Sequence, residues 1–525
     1  MKARWLIPLL IVAAGIAAYC GSFQGPFIFD DVPSIPENPY IRHLWPLHRA
    51  LFSPPYSTLD VRPVVCLTLA GNYAVGGLDV RGYHAFNLAV HLLSALVLFG
   101  IARRTLEEGS FRDRLGAAAA WLAAAITLIW EVHPLQTESV TYIIQRTELL
   151  MGLFLLLTLY CTLRGSRSDH PRAWYLLAVV SCALGMGCKQ VMVIAPLIVL
   201  LYDRVFLASS FRELWRKRAG LYPGLAATWL LLAVLVANTP HRTAGYRIGG
   251  PAPWNYLMTE TGVILYYLRL CFWPHPLVID YLDWPVASSL DDVLLPGVAV
   301  VGLLGATVWA FRHRPWLGFL GAWFFLILAP TSSFVPVAGE LAAERRMYLP
   351  LAAVVTIAVV GAFLIGKRLL IKHHGSIPGC VAVASVVVVL TFLTIQRNRD
   401  YRSDVTIWQD TVDKRPHNTR AQNNLAWLLA TLDPPNADPA RAVALAERAC
   451  QSTGYQAAPY LDTLAVAYAA AGRFNDAIAT AQKAIDLARA AGQTQVVAQV
   501  EPRLELYRHG RAYRQSTGAA NPPQR

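Results

Sequence analysis

A chain of 525 residues that is 55% hydrophobic and only 15% charged lies well below the roughly 25% charge of soluble domains, so much of it is suited to lipid. Its formal charge is +13, but the basic residues fall in short clusters between apolar runs, a pattern that orients helices in a membrane. No basic stripe interleaved with aromatics marks a nucleic-acid partner. The eight cysteines are scattered, and no spacing suggests a disulfide framework or a metal knuckle; they read as small buried hydrophobes.

In chain order, Lys2 and Arg4 precede an apolar run over residues 5–18. It resembles a signal peptide, but Ala17-Ala18-Tyr19-Cys20-Gly21 matches a cleavage site poorly, although Cys20 leaves a lipoprotein-like reading open; an uncleaved first span with a cytoplasmic N-terminus is expected. Directly beyond it lies Phe27-Ile28-Phe29-Asp30-Asp31-Val32. Adjacent carboxylates where hydrocarbon gives way to water can stay charged without full desolvation, and Asp30 and Asp31 are read as the catalytic centre. The structural alternative is a helix cap followed by Pro33. The first external loop covers residues 21–62, and residues 63–75 are too short to cross.

A crossing needs about 20 apolar residues. Further spans are expected at 83–102, 115–130, 139–163, 173–187, 191–207, 221–237, 293–311, 316–333, 349–365 and 377–395. Residues 256–273 are apolar but hold Glu260 and Arg269. If they cross, Arg312-His313-Arg314 and the basic residues of 367–374 lie outside; if they do not, both clusters lie inside. The positive-inside rule therefore selects eleven spans, with 256–273 re-entrant or interfacial.

An odd count places everything after Arg397 outside the cytoplasm. Residues 398–417 read as a linker, and from Asn418 the composition turns Ala-rich and polar. Asn424-Leu425-Ala426-Trp427 with Ala442, Ala446 and Ala449 recurs as Thr463-Leu464-Ala465-Val466 with Ala477, Ala481 and Ala484, and Gly472 closes a helix. This is tetratricopeptide spacing. A repeat domain is expected over 418–514, with a polar cap helix over 496–513 and a disordered tail over 515–525. The fold class is all-α: a polytopic membrane domain over 1–397 followed by this helical domain.

Ionisable residues at the outer ends of spans carry function by default. His84, Asn87 and His91 share one helix face by their spacing of three and four. His133, Gln136, Glu138, Arg146 and Glu148 follow, then Lys189, Arg242, Asp280, Tyr281, Glu344, Arg345, Arg346 and Tyr348. In the eleven-span topology all face the side of Asp30 and Asp31. Carboxylates, cations and aromatic walls suit group transfer from a lipid-linked phosphate: cations neutralise the leaving phosphate while a carboxylate takes the proton of an acceptor hydroxyl. Nucleophilic triads and glycine-rich phosphate loops are absent, and no motif fixes a metal geometry.

Phe29-Asp30-Asp31, Arg62-Pro63, Gly82-Tyr83-His84-Ala85-Phe86-Asn87, His133-Pro134-Leu135-Gln136-Thr137-Glu138-Ser139-Val140, Lys189, Asp280-Tyr281 and Glu344-Arg345-Arg346-Met347-Tyr348-Leu349-Pro350 together resemble bacterial relatives of the transmembrane and tetratricopeptide-repeat (TMTC-type) O-mannosyltransferases, of the GT-C superfamily. The resemblance covers nearly the whole chain. It implies an inverting transfer of a sugar, mannose in the eukaryotic relatives, from a polyprenyl-phosphate donor to hydroxyls of protein acceptors. The setting it implies is the periplasmic face of a bacterial inner membrane.

Under it, Asp30 and Asp31 are base and partner, while Arg146, Lys189, Arg345 and Arg346 take the donor phosphate. His84, His133, Gln136, Glu138, Arg242, Asp280, Tyr281, Glu344 and Tyr348 form the rim. No metal ligand is assigned, although the resemblance leaves a divalent ion open; the implied partners are the lipid-linked donor, a protein acceptor and membrane lipid. Two other classes fit the composition, a membrane scaffold acting through its repeats and a flippase for polyprenyl-linked sugars.

Overall fold

The computed structural model describes residues 3–53, 57–108, 111–238, 251–337, 339–369, 377–433 and 437–515. Every regular element among them is helical. They form two compact units, the first from residues 1–25, 38–277 and 285–399, the second from 26–37, 278–284 and 400–525.

The first unit contains α1 (Ala3–Tyr19), α2 (Pro63–Gly76), α3 (Val80–Leu106), α4 (Ala119–Glu131), α5 (Arg146–Gly165), α6 (Pro171–Met186), α7 (Ala195–Tyr202), α8 (Leu221–Ala237), α9 (Pro253–Phe272), α10 (Leu294–His313), α11 (Pro315–Leu328), α12 (Pro350–Leu369) and α13 (Ile377–Asp400). Helix α3 lies against α1, α4 and α5; α5 continues onto α6, and α4 onto α12. Tight seams need small residues. A Cβ on Gly152 of α5 would lie 2.6 Å from the Tyr348 ring, so glycine lets that ring seat on the helix.

Eight helical stretches among the described residues are long and apolar enough to cross a membrane: Trp5–Gln24, Val80–Leu106, Arg112–Glu131, Ile143–Gly165, Gln190–Leu207, Asp291–His313, Pro350–Arg368 and Pro378–Asp400. The other three of the eleven expected spans are shorter or bent. Helix α6 has 16 residues and α11 has 14, while α8 meets the preceding Phe211–Lys217 helix at 85°. Helix α9 covers residues 256–273 almost completely and falls outside the eight. Lipid-facing character is plain on α10 and α13, where Leu295 is 81% and Val388 66% exposed; water would penalise such continuous apolar faces. Six of the eight cysteines are buried, and Cys20 and Cys380 are exposed.

The second unit holds α14 (Asp404–Lys414), α15 (Thr419–Thr431), α16 (Pro439–Ser452), α17 (Ala458–Ala470), α18 (Phe474–Ala490) and α19 (Thr494–Arg508). Each packs on the next, and α17 also touches α15 and α19. Starts are set by side-chain caps: Asn418 accepts from the Ala421 N–H at 2.9 Å and Asp438 from the Arg441 N–H at 3.1 Å, each offsetting an orphan donor. Ala442, Ala446, Ala449, Ala477, Ala481 and Ala484 are fully buried, so the small residues picked out by spacing do sit where helices touch.

Ends are set by glycine. At Gly472 (φ +77°) and Gly510 (φ +66°) the chain enters the left-handed region, and the next N–H, from Arg473 or Arg511, reaches back to Tyr468 O or Leu506 O, the Schellman closure. The cap helix expected over 496–513 therefore stops at Arg508. Beyond it the chain reverses onto α15.

Candidate active site

Between α4 and α5 the helix breaks into three short turns, Pro134–Gln136, Thr137–Thr141 and Ile143–Gln145, and all of residues 131–150 are buried. A buried break exposes carbonyls that must find donors. Side chains supply them. Asn87 Nδ2 donates to Val140 O and Ile143 O at 3.3 and 3.1 Å, His91 Nε2 pairs with Glu131 O at 3.0 Å, and Gln136 donates to Trp130 O and Tyr348 O. Thr394 donates to Val132 O at 2.7 Å.

Several residues expected at the rim serve this stitching. His133 Nδ1 accepts from the Leu135 N–H and Nε2 faces Cys271 O at 3.1 Å, which fixes the tautomer with its proton on Nε2. His84 Nε2 lies 2.9 Å from Gly25 O, and the Tyr348 hydroxyl pairs with His91 Nδ1 at 3.0 Å. Arg146 is fully buried; it donates to Asn87 Oδ1 and Tyr83 O and stacks on Phe86 at 4.2 Å. Arg346 donates to the carbonyls of Thr331, Leu341 and Glu340 and lies 3.7 Å from Glu260. Glu344 is buried beside it in the Glu344–Met347 turn.

The other cations gather in an electrostatic cluster. Lys189 pairs with Glu148, and Arg345 pairs with both Glu138 and Glu340, with the Arg345 N–H 2.8 Å from Glu138 Oε2. Burial pulls the Lys189 ammonium below its usual range; Glu148 opposes this, while Arg345 and Arg62 add to it. Arg62 is the member absent from the expected site list, although Arg62-Pro63 carried part of the resemblance. It donates to Thr58 O and makes no ion pair among the described residues. Its Nε is buried without a hydrogen-bond partner among the described residues; burial and the like charge of Arg345 lower its affinity for its proton, and Glu148 and Glu340 oppose this. A buried guanidinium nitrogen without an acceptor, beside two further cations, is a setting that an anion's oxygen can satisfy.

Asp30 and Asp31 belong to the second unit, as do Asp280 and Tyr281. The two carboxylates differ. Asp31 is fully buried, and its Oδ2 accepts from the Ile28 N–H at 3.0 Å. Asp30 is half-buried and stands at the N-cap of the Asp31–Ser34 turn without bonding to it through its side chain. Just before it, Phe29 has φ +45°, a left-handed conformation costing a bulky residue about 1–3 kcal/mol. Its ring meets Trp408 edge-on at 5.2 Å.

Asp280 accepts from Arg420 at 3.1 Å and Asn418 at 3.1 Å, and Tyr281 lies 4.6 Å beneath the Arg415 guanidinium, which pairs with Asp283 at 2.8 Å. These residues bind the 278–284 loop to α14 and α15. Arg242 lies outside the described residues. Among the described residues, no three His, Cys, Asp or Glu side chains assemble to hold a metal ion.

Residues 60–237 match the family model described as dolichyl-phosphate-mannose-protein mannosyltransferase. Mouse protein O-mannosyl-transferase TMTC3 is 24% identical over 465 residues, covering 80% of this chain and 48% of that protein. The Caenorhabditis elegans protein O-mannosyl-transferase F38B6.6 is 23% identical over 444 residues, covering 80% and 59%. Over four-fifths of its length the chain is similar to TMTC-type O-mannosyltransferases. It spans about half the length of the curated relatives it matches. A structure of ArnT from Cupriavidus metallidurans bound to undecaprenyl phosphate is similar over 83% of this chain and 82% of that one, at 14% identity and a TM-score of 0.44.

Proposed function

We propose that this chain is an integral membrane glycosyltransferase moving a mannose-like sugar from a polyprenyl-phosphate donor to hydroxyl groups of protein acceptors. The observation that carries the proposal is Arg62, a cation without an ion-pair partner among the described residues, set beside Lys189 and Arg345. Its Nε is buried without an acceptor among the described residues, and a donor phosphate supplies that acceptor.

In this reading the acceptor oxygen attacks the anomeric carbon from the face opposite the phosphate and inverts it. The hydroxyl proton passes to Asp30, the C–O bond to phosphate breaks, and its electron pair leaves with the phosphate, whose charge is taken by Arg62, Lys189 and Arg345. Asp31 holds the turn that presents Asp30. Helices α15 to α19 are tetratricopeptide-like, and the array handles the acceptor. The reading takes eleven spans with α9 re-entrant and the chemistry at the periplasmic face of a bacterial inner membrane; a reporter fused after Arg314 then reads cytoplasm, and an external signal refutes the topology.

The deciding experiment supplies radiolabelled polyprenyl-phosphate mannose to membranes holding the chain and measures label in protein and lipid fractions. Label in protein that is lost with Asp30→Asn supports the reading. Equal label with and without the chain overturns it in favour of a scaffold.

A further inference from the structure

The face of the helical array formed by α15, α17 and α19 is occupied by the chain itself. Three side chains meet there, one from each helix: Trp427, Asp462 and Arg503. Arg503 pairs with Asp462, and its guanidinium lies 4.7 Å from the Trp427 ring. After the Gly510 reversal, residues 511–515 run without regular secondary structure across these groups. The Tyr513 ring lies 4.9 Å from the Arg503 guanidinium and tilts against Trp427 at 5.9 Å. Arg514 donates to Leu432 O at 2.8 Å and Ala430 O at 3.3 Å, at the open end of α15. Gln515 accepts from Trp427 Nε1 at 3.3 Å and donates its N–H to Thr431 O at 3.3 Å.

Every contact in this set is of a kind a separate peptide can make. An aromatic ring sits against a tryptophan and an arginine, a guanidinium caps helix carbonyls, and an amide with its backbone completes the set. The site also retains unused capacity. Asp462 Oδ1 and the Tyr507 hydroxyl are buried without hydrogen-bond partners among the described residues, and Tyr507 lies within electrostatic reach of Asp462, Arg503 and Tyr513. Had this face served only to close the fold, a second layer of alanines like that on α16 and α18 would satisfy it with no buried polar group.

We infer that this face is a binding groove for an extended peptide presenting an aromatic side chain followed by a basic one and an amide, and that Tyr513-Arg514-Gln515 is its resident occupant in cis. A partner of that chemistry must displace the segment to bind. Binding, not sugar transfer, is the readout, so the inference stands apart from the transferase reading.

The test uses the full chain in detergent and a fluorescent peptide of sequence Arg-Ala-Tyr-Arg-Gln, followed by anisotropy. The native chain binds it at least tenfold more weakly than a Tyr513→Ala, Arg514→Ala variant, whose groove is vacated. Adding Trp427→Ala to that variant abolishes the binding. Tyr513→Phe, which keeps the ring, behaves as the native chain. Equal peptide affinity in the native and vacated chains overturns the inference. So does collapse of the array in the vacated variant, seen as new proteolytic cleavage between Asn418 and Arg508, because the segment is then part of the fold.

Discussion

The two aspartates of the acidic turn separate in a way that three substitutions can test. Asp31 is fully buried and accepts the Ile28 N–H. Asp31→Ala strands that donor in the interior and costs about 1–3 kcal/mol of stability. Asp31→Asn keeps an oxygen for the same bond, so most of that stability remains. Asp30 is half-buried and does not cap the turn through its side chain; Asp30→Asn keeps the shape and an acceptor oxygen but removes the base, lowering transfer about 10²–10⁴-fold. The assay pairs thermal melting of the purified chain with transfer of labelled mannose from a polyprenyl-phosphate donor. Full transfer by Asp30→Asn refutes the assignment of the base. Loss of transfer in Asp31→Asn at unchanged stability moves the base to Asp31.

Arg62→Ala removes a cation that makes no ion pair among the described residues and is expected to raise the KM for the lipid-linked donor several-fold with little change in melting; an unchanged KM removes Arg62 from the phosphate site. Gly152→Ala drives a methyl to 2.6 Å from the Tyr348 ring, and the forced shift costs about 1–3 kcal/mol, measured as a lower midpoint; wild-type stability shows the ring moves freely. Burial raises the Asp404 carboxyl from 3.8 to about 7, so the folded chain keeps a proton that the unfolded chain has released. Its contribution therefore falls as pH rises from about 4 to about 7 and is flat above, by at most about 4 kcal/mol. Melting at pH 5 and pH 8 should differ in that direction and the difference should shrink in Asp404→Asn; the same pH slope in both proteins refutes the assignment.

Apolar runs and glycines were legible because their effects are local. Residues 83–102 became the middle of α3 and 139–163 most of α5 with the turns before it, since a run of apolar residues at membrane length permits little else. The alanine pattern likewise placed the helix contacts of α16 and α18. The polar residues were legible only as costly and therefore purposeful. Their spacing put His84, Asn87 and His91 on one face of α3, but no spacing reveals that Asn87 and His91 satisfy carbonyls of a break some 40 to 56 residues later in the chain. Arg62 escaped the site list for the same reason: a loop arginine declares itself only when the carboxylates around it are found to pair with other cations.

The sequence alone determined that the chain is all-helical, suited to a membrane over most of its length and similar to the TMTC-type O-mannosyltransferases, because hydropathy, small-residue spacing and short motifs act within a few turns of chain. Only the tertiary structure decided which ionisable side chains stitch broken helices and which gather as a cation cluster. It also decided that Asp31 is fully buried and accepts the Ile28 N–H, and that residues 511–515 return to α15. Those outcomes depend on hydrogen-bond partners brought together from distant parts of the chain, and a buried polar group takes its role from the partner it meets.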